Sequence, residues 1–180
     1  MKARTLVLFA VVAGLSAAGG VSSYHLWSRG SGAGPAMMPD AVVERVLGVR
    51  LADVKGGTQS LEQWRGQVLV VNYWATWCAP CREEIPGFVR LQERYGSRGL
   101  QFVGIAIDQP DKVAEFASEL RINYPLLLGG LEIIELLRQS GNRAGVLPYT
   151  LVIDRKGNLV SREPGGLKEV RLESLIQRLL

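Results

Sequence analysis

The hydrophobic and polar positions of this chain follow two recurring patterns. Val68–Trp74 and Gln101–Ile107 are short, nearly unbroken apolar runs, which are typical of strands buried on both faces of a sheet. The stretches that follow them, 82–95 and 110–120, place apolar residues at helical spacing. Because strands and helices alternate, we predict an α/β fold with a mixed central sheet, helices on both faces and right-handed crossovers between parallel strands.

The remaining elements follow from the same signals. In chain order they are a strand within Val46–Val54, a short helix from Ser60 to Gly66, a strand at Tyr124–Leu128, a helix at Leu131–Gln139, a hairpin from Tyr149 to Arg162 and a last helix at Leu167–Leu179. Ser60 is followed three residues later by Gln63, which fits a capping box at the start of the short helix.

Residues 1–28 have the composition of a targeting segment. Lys2 and Arg4 precede Leu6–Val21, a stretch that carries no charge. This pattern is shared by signal peptides and membrane anchors. We favour an uncleaved anchor that spans the bilayer, and cleavage near Ser16–Ala18 is the alternative.

A Gly-, Ser- and Pro-rich linker at 29–41 separates this segment from the domain, which we place at 42–180. With an uncleaved anchor, the domain faces outward from the bacterial cytoplasmic membrane. With a cleaved signal, it is soluble in the periplasm. Both alternatives put the domain where no cytosolic glutathione pool keeps thiols reduced.

The charge of the chain gives no indication of a nucleic-acid partner. Without Lys2 and Arg4, the 21 basic residues fall to 19, against 17 acidic residues. The sequence also lacks a basic stripe with interleaved aromatic residues, which is typical of nucleic-acid binding. We therefore expect protein and membrane partners rather than nucleic acid.

The two cysteines of the sequence, Cys78 and Cys81, lie where the first apolar run ends and a helix begins. Free N–H groups and the helix dipole stabilise an anion at a helix N-terminus, so a thiol placed there has a lowered pKa and reacts as a thiolate. Cys81 lies one helical turn further on, close enough to close a small disulfide ring. The sequence therefore predicts a redox-active pair.

Other roles of the Cys-x-x-Cys pair fit the sequence less well. A zinc site needs about four ligands, usually Cys and His, and the one histidine, His25, lies in the targeting segment. A c-type haem site needs a His after the second Cys, where Arg82 stands. A structural disulfide across so short a loop restricts the unfolded chain little. A Cu(I)-binding metallochaperone-type module and a thiol peroxidase remain as alternatives.

The run from Asn72 to Pro86, centred on Trp77-Cys78-Ala79-Pro80-Cys81, resembles the thioredoxin superfamily and, within it, the TlpA/ResA-like thiol–disulfide oxidoreductases. Val146–Thr150 resembles the cis-proline loop of that superfamily. Pro110–Gln139 looks like the αβ insertion of this branch. The resemblance covers about 42–180, and it implies a thioredoxin-like fold.

The resemblance also implies roles for single residues. Cys78 matches the attacking cysteine, Cys81 the resolving cysteine, and Pro148 the cis-proline beside the disulfide. Glu84 matches an acid near the pair, and its three-residue spacing from Cys81 puts both on one helical face. Asn72 stands where cytosolic thioredoxins carry a buried Asp, so Glu84 is the candidate to accept the Cys81 proton.

Four residues around the pair are candidates for substrate binding: Trp77, Ala79, Pro80 and Leu147. Trp77 is expected to cover the disulfide and Trp74 to lie in the core. Ala79 and Pro80 place neither charge nor histidine beside Cys78, so we expect a reducing pair rather than a strongly oxidising one.

As a function, the resemblance implies an extracytoplasmic thiol–disulfide oxidoreductase that reduces disulfides in partner proteins, in cytochrome c maturation or oxidase assembly. No bound cofactor or metal is expected, because the cysteine pair is itself the redox centre. The expected partners are disulfide-containing extracytoplasmic proteins, a membrane electron donor and, through the anchor, the membrane. We expect the protein to be a monomer.

Overall fold

Seven strands form one mixed sheet in the structure, a computed structural model that describes residues 41–180. In chain order the strands are β1 (Arg50–Asp53), β2 (Thr58–Ser60), β3 (Val68–Trp74), β4 (Leu100–Ala106), β5 (Leu126–Leu128), β6 (Tyr149–Ile153) and β7 (Leu159–Pro164). Their order across the sheet is β2-β1-β5-β4-β3-β6-β7. β3 pairs parallel with β4 and antiparallel with β6, so the predicted mixed sheet is confirmed.

Five α-helices accompany the sheet: α1 (Ala41–Gly48), α2 (Ala79–Tyr95), α3 (Pro110–Glu119), α4 (Leu131–Gln139) and α5 (Glu169–Leu179). Short 3₁₀ turns occupy Leu61–Trp64 and Gly96–Arg98. Among residues 41–180, no helix has both the length and the apolar character needed to cross a bilayer. The predicted anchor or signal at 1–28 and the linker at 29–41, apart from Ala41, lie outside the described residues.

The side chains of β3 alternate between two hydrophobic cores, one on each face of the sheet. Val70 and Trp74 pack into the core that α2, α3 and α5 cover. Val71 and Tyr73 pack into the core that α1 and α4 cover. Burial on both faces explains the unbroken apolar run, and it confirms the prediction of helices on both sides.

The predicted strand at Val46–Val54 is wrong in its first part. Val46 and Leu47 belong to α1, and the strand begins only at Arg50. Val43, Val46 and Leu47 lie at i, i+3 and i+4, and all three are buried in the second core. Packing of this face outweighs the β-propensity of the valines.

The predicted capping box at Ser60 does not form in full. Ser60 Oγ accepts a hydrogen bond from the Glu62 N–H at 3.3 Å, but the Gln63 side chain donates to the Ser60 carbonyl oxygen at 2.9 Å instead of accepting from the Ser60 N–H. Ser60 also ends β2, a polar edge strand that the sequence analysis missed. Hydrogen bonding to β1 defines this strand, and its sequence has no alternation of hydrophobic and polar residues that would predict it.

Candidate active site

Cys78 and Cys81 form a disulfide at the start of α2, with an S–S distance of 2.07 Å. Cys78 is the N-cap residue, and its carbonyl oxygen accepts the first helical bond, from the Arg82 N–H at 3.2 Å. Cys78 is 5% exposed and Cys81 is completely buried. A partner sulfur can therefore approach Cys78 but not Cys81, an asymmetry that suits attack by the first and resolution by the second.

A carboxylate fixes the turn that connects β3 to Cys78. Asp108, just after β4, accepts hydrogen bonds from the Thr76 N–H at 3.0 Å and the Thr76 hydroxyl at 2.5 Å. Burial alone would raise the pKa of Asp108, but the bonds from Thr76 and from the Gln109 N–H hold the pKa below its usual value. The ends of two adjacent parallel strands thus hold the turn before Cys78 in place.

Glu84 lies one helical turn after Cys81 and is 7% exposed. Its Oε1 accepts a hydrogen bond from Asn72 Nδ2 on β3, and its Oε2 accepts one from the Leu167 N–H, both at 2.8 Å. Burial raises the pKa of Glu84 to about 7, and these two hydrogen bonds offset part of that rise. Near neutral pH the carboxyl group can therefore both accept and release a proton.

A cleft of about 320 Å³ reaches Glu84 from the side of α2 and α5. It is lined by residues of α2 and of the segment that leads into α5, among them Pro80, Glu83, Gly87, Gly166 and Leu167. Glu84 is among the lining residues and the two cysteines are not, so the cleft borders the carboxyl group without including the disulfide.

The Leu147–Pro148 peptide bond is cis, as the resemblance implies. Pro148 precedes β6, whose first residue, Tyr149, pairs with Tyr73 near the end of β3. The proline loop therefore lies at the sheet edge from which the cysteine segment emerges. Asn142 holds this loop, because its side chain bonds both the N–H and the carbonyl oxygen of Val146, at 3.0 and 2.8 Å.

The four predicted substrate-binding residues differ in exposure. Trp77 is 69% exposed, Ala79 and Pro80 are exposed, and Leu147 is half-buried. That Trp77 covers the disulfide stays a prediction. Trp74 is 1% exposed and packs on Phe116 of α3 at a centroid distance of 5.4 Å, so its predicted place in the core is confirmed.

A sequence model of the AhpC/TSA family matches residues 38–162. The chain belongs to the AhpC/TSA family. The ResA thiol–disulfide oxidoreductases of Halalkalibacterium halodurans and Geobacillus kaustophilus are 26% and 25% identical to it. These alignments cover 74% of both chains in the first case and 72% of both in the second.

A crystal structure of a thioredoxin-family thiol:disulfide interchange protein from Chlorobium tepidum TLS is 30% identical and superposes with a TM-score of 0.67. The match covers 73% of this chain and 92% of that protein. The thioredoxin-like fold and the likeness to ResA that the sequence indicated are thus confirmed for this AhpC/TSA-family domain.

Sequence reasoning identified the cysteines, Glu84, Pro148 and Asn72 of this AhpC/TSA-family site, but it missed the groups that hold them. Thr150, which bonds Asn72, is 78 residues away from it, and Leu167 is 83 residues from Glu84. The sequence analysis singled out neither Asp108 nor Asn142. No local pattern marks such pairs, because the sheet and α2 bring them together only after folding.

Proposed function

We propose that this protein is an extracytoplasmic thiol–disulfide oxidoreductase that reduces disulfides in partner proteins through Cys78 and Cys81. The observation that carries the proposal is the placement of Glu84, a buried acid with a pKa of about 7, one turn beyond the buried cysteine. The ResA proteins among its relatives are named thiol–disulfide oxidoreductases, which supports the same chemistry.

The reaction transfers two electrons from the reduced pair to a substrate disulfide. The Cys78 thiolate attacks one substrate sulfur, a mixed disulfide forms, and the other substrate sulfur leaves as a thiolate that takes up a proton. The Cys81 thiol then gives its proton to Glu84 and attacks the Cys78 sulfur. The second substrate sulfur departs and is protonated, and the Cys78–Cys81 disulfide remains to be reduced by a membrane electron donor.

The surface around Cys78 suits an extended polypeptide with apolar side chains. Trp77, Ala79, Pro80 and Leu147 contribute apolar surface, and the backbone next to Pro148 provides an edge with which a substrate strand can pair. Backbone pairing positions the substrate, and the apolar contacts select it. Pro148 and these four residues are therefore assigned to substrate positioning.

In this proposal the chemistry takes place outside the cytoplasm, which the composition of the N-terminal segment supports. Residues 1–28 would anchor the monomeric domain to the membrane, or be cleaved to leave it soluble in the periplasm. Substrates are then disulfide-containing extracytoplasmic proteins. Cytochrome c maturation and oxidase assembly are the settings that the resemblance suggests.

Two measurements on the purified protein test the proposal. The reduced protein should cleave insulin disulfides, and a glutathione titration should give a potential of roughly −200 to −280 mV, nearer thioredoxin than DsbA. A potential of about −120 mV would contradict the reducing assignment. Peroxide consumption without insulin reduction would favour the peroxidase alternative, and stoichiometric Cu(I) binding without exchange would favour the metallochaperone.

Physiological substrates can be trapped in cells with Cys81→Ser. In this variant Cys78 still attacks, but no resolving thiol releases the mixed disulfide. Partners should accumulate as reductant-sensitive adducts on Cys78. Cys78→Ser is the matched control and should trap none, because the remaining thiol at position 81 is completely buried.

A further inference from the structure

Asn72, in the middle of β3, is buried to 1% exposure and bonds two side chains. Its amide nitrogen donates to Glu84 Oε1 at 2.8 Å and to Thr150 Oγ1 at 3.0 Å. An asparagine amide has two N–H donors and one carbonyl acceptor, so both donors are used. Within residues 41–180, the Asn72 carbonyl oxygen Oδ1 has no hydrogen-bond partner.

The orientation of this amide suits an ionised carboxylate at Glu84. A buried acceptor without a donor is unfavourable, so some other contact must favour the arrangement. Turning the amide over would set its carbonyl oxygen against Glu84 Oε1, and two acceptors repel unless the carboxyl group carries a proton. As observed, an N–H faces the carboxylate, and hydrogen bonds to ionised acceptors are the stronger kind.

We propose that Asn72 is a positioning residue that, held by Thr150, stabilises the ionised carboxylate of Glu84 and keeps it ready to accept the Cys81 proton. This inference rests on the proposed function, because it assigns Asn72 to the resolving step. Burial favours the neutral acid, whereas the Asn72 amide and the Leu167 N–H favour the anion. Asn72 thus lowers the proton affinity of the Glu84 carboxylate, and Glu84 itself remains the group that accepts the proton.

Several charged or titratable groups lie around the Glu84 carboxyl group, and their signals must be distinguished from the titration of Glu84. They are Cys81, Glu83 and Arg90 on α2, Lys168 and Glu169 at the start of α5, and Tyr124 before β5. In the disulfide form the cysteines do not titrate. Burial, with the Glu84 charge, raises the pKa of Tyr124. A difference spectrum against Glu84→Gln removes the signals of the groups common to both proteins.

The test is a titration of Glu84 in the oxidised protein, followed by its infrared carboxyl band as a difference against the same background with Glu84→Gln. Asn72→Leu keeps the approximate shape but removes both donors, and the midpoint should rise by about one pH unit, a tenfold change in proton affinity. Thr150→Val should raise the midpoint less, because this substitution keeps the Asn72 amide and only frees it to turn. The pH profile of mixed-disulfide release should shift with the midpoint.

Ile85→Val is the matched control, because Ile85 is completely buried beside Glu84 but bonds nothing in this network. It should lower stability and leave the midpoint unchanged. Should Asn72→Leu not fold, Asn72→Asp sets a second carboxyl group against Glu84, and the upper midpoint of that pair should lie above the wild-type value.

A folded Asn72→Leu or Asn72→Asp protein with a midpoint at or below that of the wild type would overturn the assignment of Asn72. The insulin assay on the wild-type protein reports separately on the function. A wild type that reduces insulin, combined with unshifted variants, would leave the proposed function in place and remove only the role of Asn72. A wild type that fails to reduce insulin would remove the exchange function itself.

Discussion

Glu84 is held inside the domain by two hydrogen bonds, and both come from groups distant in sequence. Asn72 supplies an N–H from the central strand, and the Leu167 backbone supplies another from the opposite end of the chain. Burial favours the neutral form of this carboxyl group and raises its pKa, whereas the two donors favour the ionised form and lower the pKa. The result is a carboxyl group whose pKa of about 7 lies near neutral pH.

Replacing Glu84 by Gln should remove a pH dependence of stability. The pKa of Glu84 is raised from 4.5 to about 7 in the folded state, so the folded protein binds this proton more tightly than the unfolded chain does. This proton therefore contributes about 3 kcal/mol to the free energy of unfolding at low pH. The contribution is fully present below pH 4.5 and is lost as the pH rises through about 7.

Urea unfolding of both proteins at about pH 5 and pH 8 measures this effect. The wild type should lose stability between the two conditions relative to Glu84→Gln. Parallel behaviour of the two proteins would mean that Glu84 has an ordinary pKa in the folded state.

The positions of Cys78, Cys81 and Glu84 could be predicted from the sequence because they depend on local geometry. Three-residue spacing in a helix that follows a buried strand sets them on one face. The pKa of Glu84 could not be predicted, since burial and the donors Asn72 and Leu167 depend on tertiary packing. The sequence indicated which acid to examine, and the fold supplies its environment.

At the scale of elements, α2 connects the cysteine site to two neighbouring helices, α3 and α5. Arg82 lies over the Phe116 ring of α3 at 5.4 Å, and Arg90 and Arg94 form ion pairs with Glu169 and Glu173 of α5. Exposed ion pairs contribute little each, so the buried apolar face of α2 supplies most of the attachment. The helix N-terminus at which Cys78 lies is therefore held by packing along the whole of α2.

The turn before α2 depends on Asp108, whose carboxylate holds both the N–H and the hydroxyl of Thr76. Asp108→Asn should destabilise the domain by about 1 to 3 kcal/mol, because these bonds go to a charged acceptor. Asp111→Asn, which removes the same charge one turn further along on an exposed position, is the control and should change stability little. Equal losses in the two variants would mean that general charge, and not the Thr76 contact, is responsible.

The errors at the element scale lie at one edge of the sheet. β3 and β4 were predicted within a residue, and β6 begins at Tyr149 as the predicted hairpin does, because strands buried on both faces leave unbroken apolar runs. α1 has a single short apolar face, and β2 is a polar three-residue strand, so neither has a pattern long enough to define it. Such elements are fixed by what they pack or pair with.

At the scale of the whole molecule, the described residues 41–180 form two hydrophobic cores, one on each face of the sheet. α1 belongs to the second core, and Glu44 on α1 pairs with Arg65 at 2.9 Å. The domain should therefore begin at α1, and residues before it should be dispensable for folding.

A protein starting at Asp40 should be soluble and should reduce insulin as the full chain does. A protein starting at Val49 loses the buried side chains of Val43, Val46 and Leu47 and should be less stable by about 5 kcal/mol or more. Urea unfolding and the insulin assay compare the two. Loss of folding or activity in the longer protein, or equal stability of both, would contradict the boundary.

The central claim is that Glu84 accepts the proton of Cys81 in the resolving step, and stopped-flow kinetics of Glu84→Gln at pH 7 test it most directly. Alkylation of Cys78 should keep most of its rate, because the helix N-terminus rather than Glu84 activates that thiol. Release of the mixed disulfide should slow by about 10²-fold, the usual size of general-base assistance. Equal slowing of both steps, or no slowing of either, would contradict the account.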